Sequence, residues 1–299
     1  MSILTNRTFL VESKYWFMKP NSRFYRSSKE NIDLRYTRCG IYFDKNTMED
    51  GDWIFVKTEL LPVFIRRYLP TIDKKFVLIT GLSDYCIPSF VNKYDCNVTP
   101  LLESPYMIAW FCTNYTGGYP ENKVYPLAYG IEAAKYDSKE LKQNIIENKR
   151  RLMFSSFRLR NDNRRLHIAK QMGNTICNFN SYTSLLNQSK YSICPMGCAP
   201  DTFRLWESVF FNSIPVLEYP SYLQRELLDK HGIQYIAIGK KVDIEEAGIK
   251  IVHEQQDNEH TWESIDLDTV PYTYPNHSEK ATVEYWIQYI KTIQQQHSS

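Results

Sequence analysis

The chain has 299 residues, 43% apolar and 23% charged, with a formal charge of +2. That is the composition of a globular protein of one large or two ordinary domains. The small net charge gives no electrostatic case for nucleic acid or an anionic membrane surface, and no apolar run reaches membrane-spanning length. Seven scattered cysteines do not make a disulfide framework. The N-terminus lacks the continuous apolar core of a secretory signal. The expectation is a cytoplasmic protein with reduced thiols and no membrane span.

Residues 1–50 are mixed and aromatic, with weak periodicity. Trp53 to Val56 reads as a strand, and Glu59 to Leu69 as a helix stopped by Pro70. Phe76 to Thr80 (FVLIT), Tyr106 to Cys112 and Val124 to Leu127 read as further strands, the first apolar throughout as in a buried parallel sheet. Residues 137–150 are polar and charged and read as a linker, helical from Ser138. An alternation follows: strand 151–157, helix 163–173, strand 175–179, helix 181–187, strand 190–194, helix 202–212, strand 214–218. Strands alternating with helices at this spacing predict βαβ units and an α/β fold. Ser278 to Gln295 reads as an amphipathic helix with Val283, Trp286, Ile287, Ile290 and Ile293 on one stripe.

The run from Ser189 to Glu218, SKYSICPMGCAPDTFRLWESVFFNSIPVLE, carries the densest chemistry. It predicts a strand, a Gly/Pro loop, a helix and a second strand. Asp201, Thr202, Arg204 and Glu207 lie at the loop–helix junction, and Arg204 and Glu207 share a helix face. A helix N-terminus after a strand seats a phosphate through its free N–H groups and dipole. A cation and a carboxylate on that turn suit a diphosphate and a ribose. The plain alternative is a surface ion pair on an ordinary helix.

Lys149 to Lys170 holds eight cations against one acid, Asp162. Arg158 and Arg160 follow a predicted strand, and Arg164 and Arg165 open the next helix, which Asn161 or Asp162 can cap. Arginine's planar fork matches phosphate oxygens. The alternatives are a solvated basic face or a nucleic-acid patch. The segment lacks the interleaved aromatics of the latter.

All six histidines follow residue 150, so a base from the N-terminal half must be a carboxylate. Asp84 comes just after the FVLIT strand, at the carboxyl end where parallel sheets present ligand sites. Glu103 and Glu132 are the other candidates, and helix or turn capping is the competing role for Asp84. Trp110 and Asn114, with Phe111 beside them, are candidates for a sugar platform, against packing in the core. Asp266-Leu267-Asp268 has the spacing of a metal-binding Asp pair but follows no apolar strand, so it reads as a loop or cap. No Walker-A loop, dinucleotide fingerprint, zincin or serine-hydrolase motif is present in the chain.

The 189–218 run resembles the donor-binding signature of exostosin-like glycosyltransferases: an apolar strand, P-x-G, then S/T-x-R-x-x-E and G/N-x-I-P-V. Pro195, Gly197, Thr202, Arg204, Glu207, Ile214, Pro215 and Val216 fall in place, and the likeness covers about residues 76–220. It implies a GT-B fold, with two Rossmann-like domains facing a central cleft. It assigns residues 1–136 to acceptor binding, 137–150 to a linker, 151–277 to donor binding and 278–299 to a C-terminal helix and tail. It maps a conserved-position arginine onto Arg158 or Arg164, and a strand-T-x-x-S-D pattern of related acceptor halves onto Asp84.

The implied activity is sugar transfer from a UDP-sugar to a glycan or glycoprotein hydroxyl, inverting, with no metal or other cofactor. The absence of an anchor makes the chain similar to short, soluble members of large algal DNA viruses, some of them xylosyltransferases. Two other readings stand beside it: a GDP-fucose enzyme, and a non-catalytic carbohydrate-binding protein on a transferase scaffold.

Overall fold

Runs that are apolar throughout have two faces to bury, and here they form the middle of a parallel sheet. The computed structural model describes residues 3–19, 40–132, 145–159, 162–218, 222–238, 244–246, 249–251 and 265–297. The chain divides into two compact units, one of Thr5–Tyr129 with Trp286–Ser299, the other of Met1–Leu4 with Gly130–Tyr285.

The first unit holds a six-stranded sheet. Its strands are β1 (Tyr15–Phe17), β2 (Ile41–Tyr42), β3 (Asp52–Lys57), β4 (Phe76–Gly81), β5 (Met107–Thr113) and β6 (Val124–Leu127), in the order β2-β1-β3-β4-β5-β6. Only β2 runs antiparallel, against β1. Every residue of β4 and β5 is buried.

The glycine that ends β4 stands close to the next strand. A Cβ on Gly81 would lie 3.0 Å from Thr113 Oγ1 and 3.3 Å from its Cγ2, so a side chain there would crowd the Thr113 side chain. The segment predicted as one helix from Glu59 to Leu69 differs. Residues Thr58–Thr71 form successive 3₁₀, α, π and 3₁₀ turns. Pro62 stands in the first turn of the α segment, where its missing N–H is tolerated, and Pro70 opens the last one.

The second unit holds a four-stranded, all-parallel sheet of β7 (Arg151–Ser155), β8 (Ser189–Cys194), β9 (Ile214–Glu218) and β10 (Ile236–Ile238), in spatial order β10-β9-β8-β7. An antiparallel pair, β11 (Ile244–Glu246) with β12 (Ile249–Ile251), forms a separate two-stranded sheet. Helices Asn163–Met172 and Phe179–Gln188 connect β7 to β8, helix Phe203–Phe210 connects β8 to β9, and helix Tyr222–Lys230 precedes β10. Tyr191, Ile193, Ile214, Val216 and Ile238 of the sheet pack with Ile168 and Met172 of the first helix.

The alternation predicted from sequence is therefore present, with one correction. Residues 175–179 form no strand. Thr175 N donates to Ser155 O of β7 at 2.8 Å, and beside it the Asn174 amide accepts from Phe157 N at 2.9 Å and donates to Phe157 O at 3.0 Å. No ladder follows, and β7 is the edge of its sheet among the described residues.

Both sheets are Rossmann-like in being built of parallel strands; helices connect those of the second, whereas the segment between β5 and β6 of the first holds no helix. The predicted linker falls largely on residues 133–144, and Arg160 and Asn161 on 160–161, all outside the described residues. Helix Val283–Gln296 buries Trp286, Ile290 and Ile293 of the predicted stripe.

Candidate functional site

The carboxyl ends of β7, β8 and β9 bring the predicted donor residues into one neighbourhood. Thr202 is the N-cap of helix Phe203–Phe210 and accepts from Leu205 N at 3.4 Å. Leu205 to Phe210 are all buried, so this helix is held on several sides. That packing places Arg204 and Glu207, one turn apart, at the inner surface.

Glu207 is 6% exposed and accepts a short hydrogen bond from the Tyr182 hydroxyl. The guanidinium of Arg204 lies 5.9 Å from the Tyr182 ring centroid and 6.0 Å from that of Phe157, in cation–π range of both. Its Nε is buried and has no hydrogen-bond partner. Burial alone would lower the Arg204 pKa, but the adjacent Tyr182 and Glu207 outweigh it and hold it above its ordinary value. Burial, then the Glu207 carboxylate, pushes the Tyr182 phenol well up.

This is a positive group within range of two rings and beside a carboxylate, with a donor unused. A buried donor left unpaired is costly unless a ligand atom completes it. Of the two roles open to Arg204 and Glu207 in sequence, a solvated surface pair does not fit a buried Glu207 and an Arg204 whose Nε is closed off from solvent.

The other predicted donor residues separate into two kinds. Asp201 accepts from Trp206 Nε1 at 2.7 Å and so braces the helix start. Gly197 closes the loop by donating to Ala199 O at 3.1 Å. A Cβ there would meet Arg165 Nη2 and Thr202 Cγ2 at 3.6 Å, an ordinary distance, so no steric demand fixes this glycine. Pro195, buried, follows β8 directly.

Arg158 is exposed, and it is its carbonyl that is bonded, by Arg165 Nη1 at 2.7 Å. Arg164 reaches Asp162 Oδ2 at 3.1 Å and Glu218 Oε2 at 3.9 Å. Asp162 caps helix Asn163–Met172, accepting from Arg164 N. Lys149 leaves the basic face entirely. Its buried Nζ donates to Asn187 O at 2.6 Å and Phe211 O at 2.5 Å, at the C-terminal ends of two helices where a cation is favoured.

Three further residues at this sheet edge escaped the sequence reading. Tyr182 lies mid-helix in a polar run, with no motif to mark it. Arg165, one of eight cations in its segment, fastens the loop after β8 by bonding Met196 O through Nε (3.0 Å) and Nη2 (2.8 Å). Glu218 is the last residue of β9, 4% exposed, with Oε2 lacking a hydrogen-bond partner. Burial raises its pKa, opposed by Arg164. Its signal was available: a carboxylate ending the apolar run IPVL is placed at the sheet's carboxyl edge.

In the other unit the predictions fare differently. Asp84 lies at the carboxyl end of β4 and is exposed, free for chemistry. Glu103 is exposed and Glu132 half-buried. Trp110 is a correction: it is fully buried, with Nε1 donating to Thr80 Oγ1 at 3.0 Å and its ring stacked on Tyr119. A ring with no exposed face offers no platform for a sugar. Asn114 is likewise buried, and it donates to Ser83 O at 3.1 Å, tying the end of β5 to the loop that carries Asp84. Asp266 Oδ1 accepts from Asp268 N at 3.1 Å, closing a turn, while Leu267 joins the core.

Two histidines set a pH dependence. His231 and His277 are 5% and 2% exposed, and burial, reinforced by Lys230 and Lys280 for the first and Lys149 for the second, lowers each pKa from 6.5 to about 4. Between those values the unfolded chain binds protons that the folded one refuses, so stability is fully present above pH 6.5 and falls as the pH drops toward 4. Each histidine contributes about 3 kcal/mol to that loss at 1.36 kcal/mol per unit. Urea melts from pH 7 to 4 should show a steep decline. His277→Gln should flatten it, and an unchanged slope would contradict the burial argument.

No protein-family model matches the chain, and no curated protein matches it.

Proposed function

We propose that the chain is a glycosyltransferase of the GT-B class, moving a sugar from a UDP-sugar to a glycan hydroxyl. The observation that carries this is the half-buried Arg204 guanidinium, within cation–π range of the Phe157 and Tyr182 rings and with Nε unpaired, beside Glu207 and at the N-terminus of a helix that follows a parallel strand. Arg204 and the first-turn amides take the diphosphate, and the half-exposed Arg164 adds charge. Glu207, oriented by Tyr182, accepts the ribose hydroxyls.

The reaction follows from these roles. A carboxylate, with Asp84 the exposed candidate at a strand end, takes the acceptor hydroxyl proton. The acceptor oxygen bonds to the anomeric carbon with inversion, and the bond from that carbon to the diphosphate oxygen breaks. The leaving diphosphate keeps the electron pair and is stabilised by the cationic groups already in place. Xylose is the sugar, and a viral glycan the setting, that the resemblance favours.

Titration calorimetry with UDP and GDP tests the site. UDP should bind with GDP weaker. GDP preference would favour the fucosyltransferase reading, and a protein that binds neither nucleotide would leave carbohydrate binding alone. Since side-chain cations balance the diphosphate, sugar release from a panel of UDP-sugars should survive excess EDTA. Loss on chelation, restored by Mn²⁺, would overturn the metal-independent mechanism.

A further inference from the structure

The two helices that carry Tyr182 and Glu207 are joined twice. Tyr182, on helix Phe179–Gln188, bonds Glu207, on helix Phe203–Phe210. Lys149 makes the other link, at the C-terminal ends of the same two helices. Its Nζ donates at once to Asn187 O, in the last turn of the first, at 2.6 Å and to Phe211 O, the C-cap of the second, at 2.5 Å.

The chain delivers Lys149 to this place through its own bonds. Ile146 N donates to Asn187 Oδ1 at 3.0 Å, and Lys149 N to Glu147 O at 3.0 Å. β7 then begins at Arg151. The ammonium is therefore mounted at the entry to the sheet while it grips both helices.

A link of this kind is costly. Lys149 is 8% exposed, and burial pushes its ammonium down to about 8. Among the described residues no carboxylate pairs with it. The titratable group beside it, His277, is itself held neutral by burial. A buried charge met only by neutral carbonyls gains little stability over an uncharged side chain of the same shape.

Joining the helix ends needs no charge either. Ser213 Oγ already reaches Leu186 O at 3.0 Å and Ser189 O at 2.7 Å. What the ammonium adds is one compact donor that holds two carbonyls at once. That fixes the spacing of the helices. Tyr182 and Glu207 each stand within about one and a half turns of the carbonyl that Lys149 holds. Over so short a length a helix is rigid, so the spacing at the ends is carried to the pair.

We propose that Lys149 is a positioning residue for the nucleotide site: from the C-terminal ends of two helices it sets the separation at which Tyr182 meets Glu207 and Arg204. Its role in nucleotide binding rests on the transferase reading, whereas the placing of Tyr182 against Glu207 does not.

UDP calorimetry and NMR of protein labelled at the tyrosine ring carbons test it on the parent, Lys149→Met and Lys149→Arg. The Tyr182 signal is assigned by its absence from Tyr182→Phe. Lys149→Met fills the space without a donor. It should weaken UDP binding by about tenfold, within the range for coupled positions of one hydrogen-bond network, and move the Tyr182 signal. Lys149→Arg keeps the charge, and with it the fold, but carries its donors on a longer planar fork. It should show the same two changes to a smaller degree, and it decides the matter if Lys149→Met does not fold. Both readings are taken well below each melting midpoint, where lost stability alone leaves the affinity of the folded protein unchanged. Parent UDP affinity, or an unmoved Tyr182 signal, in the folded variants would overturn the role and leave Lys149 a stabilising group. A parent that binds no UDP, with a Tyr182 signal that moves in the variants, would instead overturn the nucleotide reading and leave the positioning of Tyr182 standing.

Discussion

Arg204→Met should weaken UDP binding by about a hundredfold, the effect of removing charge-assisted hydrogen bonds worth about 3 kcal/mol. The same change leaves Glu207, 6% exposed, without its adjacent cation, so the thermal midpoint should fall. Glu207 keeps its bond from Tyr182 in the variant, which limits the fall. Arg204→Met/Glu207→Gln, which removes both charges, should recover the midpoint while UDP binding stays weak. That recovery separates a ligand-binding arginine from a structural one. Calorimetry and a melt on one preparation read both. Parent UDP affinity in Arg204→Met would remove the basis of the proposed function. A midpoint that stays low in the double variant would show that Arg204 holds the helix.

Trp110→Ala should destabilise the protein by about 3–5 kcal/mol, the range for truncating a large buried aromatic. The side chain is fully buried, on a strand buried along its whole length, and its N–H is bonded to Thr80. The substitution leaves a cavity and orphans part of the Thr80 hydroxyl's bonding. Urea titration measures it as a shift of midpoint. A variant as stable as the parent but deficient in glycan use would return Trp110 to the ligand surface. Tyr94→Ala is the internal contrast. Its ring is half-exposed, so the stability change should stay within about 1 kcal/mol.

Several features were legible from local pattern because local physics decides them. The all-apolar FVLIT run became a buried parallel strand. The Asp162 cap is a short-range hydrogen bond between a side chain and the following turn, and spacing alone announces it. The apolar stripe of the last helix followed from its period.

Where residues distant in sequence compete for the same partner, pattern failed. Asn114 looks like an available polar group, and the Ser83 carbonyl claims it. Lys149 looks like one more surface cation in a basic segment, and the ends of two helices draw it inside. Residues 175–179 have the composition of a strand, but after Thr175, which donates to Ser155 O of β7, the chain enters helix Phe179–Gln188 and no ladder forms.

The amino-acid sequence by itself determined the α/β class, the alternation of the second half, the Asp162 cap, and the turn on which Arg204 and Glu207 share a face. These rest on periods of two and 3.6 and on contacts within a few residues. The tertiary structure alone decided that Arg204 lies within range of the Phe157 and Tyr182 rings, that Glu218 closes the same sheet edge, and that Tyr94 rather than Trp110 offers a ring to solvent. Burial is a property of what packs against a side chain. That packing comes from strands and helices tens of residues away, whose arrival no local window of sequence records.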